Sequence, residues 1–157
     1  MGVNKKHKSL IELVIVVVII GLLMKLCIEA FLKSQANVTN SLFVQIVQQF
    51  TTKVNIVHSA WLTKGQPTLV RLHQLSGTNS QLVPVNTKGW VDEKQPDFRC
   101  QRIWQHVLSV PLQIANTEVL AVDINLGANK DNYFCRYQLT SGEFFEYHPK
   151  TGKVKYF

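Results

Sequence analysis

The chain has 157 residues, a formal net charge of +7 and a mean hydropathy of +0.03, with 46% hydrophobic and 17% charged residues. That length is enough for one ordinary domain, with little more than a hundred residues left for a globular core once a membrane helix of about 35 is set aside. The average conceals two populations, a lipid-like segment over the first 28 residues and a soluble-type remainder. Residues 1–34 carry Lys5, Lys6, Lys8, Lys25 and Lys33 against Glu12 and Glu29, a net of +3, and the other twelve basic and eight acidic residues give +4. The basic residues of the remainder are scattered. This favours a solvated surface, with sequence-independent contact with polyanions as the other reading, and no specific nucleic acid is expected.

Residues 10–28 are almost wholly aliphatic, although the uncharged core, 13–24, is only 12 residues long. Spanning a bilayer takes about 20, a length reached once Glu12 and Lys25 are included. Lys25 has an apolar stem that lets its ammonium snorkel to an interface. Lys5, Lys6 and Lys8 precede the run, which predicts a single membrane pass with a cytoplasmic N-terminus and the bulk of the chain across the membrane. A cleaved secretory signal is the first alternative, but Met24-Lys25-Leu26-Cys27-Ile28-Glu29 lacks its small-residue cleavage site. A lipoprotein at Cys27 is the second, and Lys25 and Leu26 fit it poorly.

Glu12 is the informative residue of this segment. A carboxylate in an apolar helix is costly to hold in lipid. Either it sits shallowly and stays hydrated, or it meets a cation on a neighbouring copy of the same chain.

Beyond the anchor the helix is predicted to continue. Phe43, Ile46, Val47, Phe50, Val54, Val57 and Trp61 recur at spacings of three and four, one apolar stripe of a 3.6-period helix. Gly65 and Pro67 end it. Between the two parts, Asn37-Val38-Thr39-Asn40-Ser41 are poor helix formers, read either as a loosened joint or as an ordinary exposed turn. Residues 68–72 and 81–85 are predicted strands around a Ser76-Gly77 turn, 100–108 a short helix, and 120–126, 133–139, 143–147 and 153–157 further strands. Ser141-Gly142 and Pro149-Lys150-Thr151-Gly152 supply turn chemistry between the last three. The expected fold is α+β: a basic leader over 1–8, a long helix over 9–64 (transmembrane about 9–30, amphipathic about 38–64), and a β-rich head over 68–157 with an antiparallel sheet under the helix.

The run Ser9-Leu10-Ile11-Glu12-Leu13-Val14-Ile15-Val16-Val17-Val18-Ile19-Ile20-Gly21-Leu22-Leu23 resembles the N-terminal signature of type IV pilins and type II secretion pseudopilins, with Glu12 and Gly21 in register. Ala60-Trp61-Leu62-Thr63-Lys64-Gly65, Val85-Asn86-Thr87-Lys88-Gly89-Trp90, Cys100-Gln101-Arg102-Ile103-Trp104, Phe134-Cys135-Arg136-Tyr137 and the ending from Phe145 to Phe157 are similar to pilins of the mannose-sensitive haemagglutinin type. The resemblance implies the type IV pilin fold. It also implies a single-pass inner-membrane precursor with a periplasmic head, a fibre built with other pilin subunits on an inner-membrane assembly platform, processing by a prepilin peptidase, display on the cell surface and surface attachment. The secretion pseudopilin is the alternative. A third reading, a membrane-tethered binding protein or enzyme that never polymerises, predicts a monomer.

The sequence departs from the family at the processing region. The glycine before the cut is replaced by His7 and the usual phenylalanine after it by Lys8. In the family the counterpart of Glu12 is thought to neutralise a neighbour's freed terminal amine. Here the Lys8 ammonium is the expected substitute, making Glu12 and Lys8 the assembly pair and pointing to a minor or divergent subunit.

Cys27 lies in the lipid run and reads as a small apolar filler. Cys100 and Cys135 lie in the part expected to be exported, where an oxidising compartment favours a disulfide between them; two unpaired buried thiols are the other reading. No G-x-S-x-G, H-E-x-x-H or phosphate-binding loop is present, and His7, His58, His73, His106 and His148 show no metal-ligand spacing. No catalysis, cofactor or metal is expected. His58 reads as surface or packing. Asp123, Asn125, Asn129 and Asp131 alternate oxygens as a calcium loop does, but Gly127 fills a ligand slot, so a plain hairpin loop is preferred. Trp90, Tyr137 and Phe144 or Phe145 are candidates for exposed aromatics on the head, against core packing.

Overall fold

The computed structural model describes residues 4–73, 80–127 and 132–157, with the backbone alone for 4–10, 32–37 and 73. Helix α1 runs Asn4–Thr63. Strands β1 (Leu69–His73) and β2 (Ser80–Pro84) form an antiparallel hairpin. Helix α2 (Arg99–Leu108) follows, and then β3 (Gln113–Ile114), β4 (Thr117–Asn125), β5 (Tyr133–Leu139), β6 (Phe144–His148) and β7 (Lys153–Tyr156) make a five-stranded meander in chain order, every neighbouring pair antiparallel. The α+β class and the antiparallel sheet stand as expected, and the chain divides into two compact units, 1–38 and 39–157.

Two boundaries differ from those expected. The helix takes in residues 4–8, assigned to a separate leader, because nothing between Lys5 and Ser9 breaks it. The head unit begins at Thr39, so the amphipathic half of α1 belongs to the head's core. Of the two readings of residues 37–41, the helical turn is the one observed: the backbone is helical through 38–41, and the Asn40 amide donates to Glu143 Oε1 (2.7 Å) in the β5–β6 turn. Residues with poor helix propensity are held there by tertiary bonds, which override so small a preference.

In the second unit the helical stripe is buried as predicted. Phe43, Phe50, Val54 and Val57 are at most 1% exposed, and Ile46 is half-buried. The stripe lies on the inner face of the sheet, where alternation places Tyr133, Cys135, Tyr137 and Leu139 of β5 and Phe145 and Tyr147 of β6. Phe50 is the hub, with its ring 5.3 Å from Phe145 and Tyr147 and 5.7 Å from Tyr137. Helix α2 buries Cys100, Ile103, Trp104, Val107 and Leu108, one face of a helix, and the Trp104 ring lies 5.2 Å from Tyr137.

The end of α1 is set by local chemistry. Gly65 adopts φ 74, and the Gln66 N–H returns to the Trp61 carbonyl (3.1 Å), the 6→1 closure of a helix ending on glycine, with Pro67 next. A Cβ on Gly89 would meet the Trp61 ring at 2.3 Å, and one on Gly152 the Trp90 ring at 2.1 Å, so both glycines let an indole lie flat on backbone. Between those indoles sits His58, stacked 3.8 Å from Trp90 at 7°. His58 is therefore a packing residue, as the sequence suggested.

Candidate assembly surface and membrane anchor

Residues Ile11–Phe31 form a 21-residue stretch of α1 with mean hydropathy 2.8, none of it buried within the chain. At 1.5 Å per residue it is about 31 Å long, the thickness of a bilayer's hydrocarbon core at about 30 Å. The protein thus has one helix long and apolar enough to span a membrane, near its N-terminus. Its side chains from Ile11 to Phe31, Glu12 included, have no partner elsewhere among the described residues beyond one contact within the helix, the ion pair of Lys25 Nζ with Glu29 Oε1 at 4.0 Å.

Glu12 lies one residue inside the start of the apolar stretch, flanked by Leu13, Val16 and Val17 in a shallow surface groove. The helical backbone runs through His7, Lys8 and Glu12, so Lys8 and Glu12 are one turn apart. The side chains of His7 and Lys8 lie outside the described residues. Cys27 is exposed on this helix and unpaired.

On the head, Cys100 and Cys135 form a disulfide with Cα atoms 5.4 Å apart, joining α2 to the central strand β5. Beside it the Tyr137 hydroxyl donates to the Cys100 carbonyl (2.8 Å). The neighbouring Arg99 is 6% exposed. It donates through Nε to Asp123 Oδ2 and through Nη2 to Asn125 Oδ1 (3.0 Å), with its guanidinium 3.5 Å from the Tyr133 ring centre. The first two oxygens of the calcium alternative thus already face a cation. Asn129 and Asp131 lie outside the described residues, and among the described residues no cluster of three His, Cys, Asp or Glu is assembled. Sequence reasoning missed this network. Its only visible trace is an arginine opening an apolar helix beside alternating Asp123 and Asn125.

Of the aromatic candidates, Tyr137 and Phe145 are fully buried, which removes them from any exposed surface, while Trp90 and Phe144 are half-buried. Burial pushes the Tyr137 and Tyr147 hydroxyls well above their ordinary value of 10.0. Tyr133 is raised by burial and then by its hydrogen bond to Asp92. A raised tyrosine pKa leaves stability intact below pH 10, where both folded and unfolded chains hold the proton. Above it the unfolded chain ionises first, so stability falls as pH rises, by about 1.4 kcal/mol per pH unit for each tyrosine. Thermal unfolding of the full chain in detergent should show a flat melting temperature to about pH 9.5 and a steep decline beyond. A profile still flat a full unit above pH 10 contradicts the burial of these hydroxyls.

Comparison of the chain with protein-family models, with curated proteins and with solved structures gives no match.

Proposed function

We propose that the protein is a structural subunit of a type IV pilin-like fibre, minor or divergent, anchored in the inner membrane through α1 before assembly and presenting its head outside. The observation that carries this reading is the uncovered apolar stretch Ile11–Phe31 holding Glu12, on the same helix whose other half forms the head's core. An apolar helix with no cover from its own chain is satisfied by lipid, but an acid within it is not. A neighbouring copy whose Lys8 meets Glu12 supplies the missing cation and defines one axial register. The resemblance of residues 9–23 to the pilin signature and the disulfide-bonded head support the same assignment, and attachment to surfaces follows as the fibre's role.

The test is incorporation into sheared surface fibres. Glu12→Ala should reduce the protein's content in the fibre fraction at least tenfold while leaving the melting temperature of the head unchanged. Lys8→Glu should reduce it similarly, and the exchange Lys8→Glu with Glu12→Lys should restore it. Wild-type fibres that lack this chain, or fibres that take up the Glu12→Ala form normally, would refute the assignment.

A further inference from the structure

The meander has two faces, and the stripe of α1 covers one of them. On the other, the register places Arg136 of β5 opposite Glu146 of β6, Glu146 opposite Lys155 of β7 and His148 opposite Lys153, while the N–H of Phe157, just past β7, donates to the Phe144 carbonyl. The Phe144 and Phe157 rings stack at 4.9 Å and 18°, and the Arg136 guanidinium lies 4.5 Å from the Phe144 ring centre, so three flat groups form one column. Phe157 ends that column and is 57% exposed. Lys153 and Lys155 are exposed and form no ion pair among the described residues. The acid within this group, Glu146, is buried and bonded to Arg136 at 2.7 Å, with His148 3.7 Å away, so it projects little negative field.

We propose that this face binds single-stranded nucleic acid without sequence preference, phosphates lying on Lys153 and Lys155 and a base stacking on the open end of the Phe157–Phe144 column. Sequence-tolerant binding of single strands combines cations that follow the backbone with aromatic rings that accept any base, and both occur here on one uncovered surface. Successive outward residues of β7 lie about 6.7 Å apart, so Lys153 and Lys155 present two cations side by side on one face. A duplex hides its base faces and leaves the phenylalanine platform idle. An acidic polysaccharide engages the lysines but has no flat ring to stack. The site lies wholly within the head unit and does not depend on fibre assembly.

The experiment is fluorescence anisotropy on the full chain in neutral detergent, with labelled oligo-dT, oligo-dA and a matching duplex, and heparin as competitor. The two single strands should bind alike and more tightly than the duplex, with log K falling against log salt at a slope of about −1.4 for two phosphate contacts. Phe157→Ala should weaken oligo-dT about tenfold, and Lys153→Gln with Lys155→Gln should remove nearly all of the slope. Circular dichroism of these surface variants should match the parent. The proposal is overturned by no binding at low salt or by affinity unchanged in both variants. It is equally overturned by a preference for duplex, or by heparin outcompeting oligo-dT with Phe157→Ala silent, which would identify a plain cationic surface.

Discussion

Replacing Phe50 with alanine is expected to destabilise the head by about 3–5 kcal/mol, the range for removing a fully buried phenylalanine. The expectation rests on where the ring sits. Phe50 is 0% exposed and at the centre of the contact between helix and sheet, within 5.7 Å of Tyr137, Phe145 and Tyr147. Those three belong to adjacent strands, so no single rotamer change closes the hole. Two of them carry hydroxyls bonded to the Cys100 and Val91 carbonyls, which restrains their movement. A domain of this size should lose roughly 10–20 °C in melting temperature. Phe98 is the internal control. It is 72% exposed, and Phe98→Ala should change stability by no more than about 0.5 kcal/mol. If both variants melt within a few degrees of the parent, α1 does not lie on the sheet through this stripe.

Removing the disulfide is expected to cost about 4 kcal/mol. Cys100 and Cys135 are 35 positions apart, and closing a loop of that size in the unfolded chain accounts for about that much in the chain-entropy description. A small domain has only about 5–15 kcal/mol in total, so the reduced head should be marginal. Both sulfurs are buried, Cys100 at 3% and Cys135 at 0% exposure. Reductant should therefore act slowly on the native protein and quickly once denaturant opens it. The double variant Cys100→Ala with Cys135→Ala avoids a lone buried thiol. Its denaturation midpoint should fall well below that of the oxidised parent, which should show one free thiol, Cys27, when unfolded without reductant. Three free thiols in freshly extracted protein would contradict the bond.

Much of this architecture is legible in the order of the amino acids, because it rests on periodicity. The stripe from Phe43 to Trp61 repeats every three or four residues, and burial follows it nearly residue by residue. The bounds of β5 coincide with the predicted 133–139, and β6 and β7 fall within a residue of expectation, because alternation and the Gly-containing turns between them are local signals. The two-residue β3 escapes such reading, being too short to show a period. Propensity misleads at Asn40, whose amide is held by Glu143 more than a hundred residues on.

The candidate site divides in the same way. Glu12 stands out from sequence alone, since a charge inside an aliphatic run needs no fold to be conspicuous. The column of Arg136, Phe144 and Phe157 does not, since its members come from β5, β6 and the residue after β7, and only the register aligns them. By itself, then, the sequence determined the apolar helix, its acid, the amphipathic continuation and the strands, all written in residues that are neighbours along the chain. Only the tertiary structure decided that Asp123 and Asn125 serve Arg99, that Tyr137 and Phe145 face inward, and which side chains share the outer face of the sheet. Those outcomes depend on contacts between residues far apart in sequence, which no local period encodes.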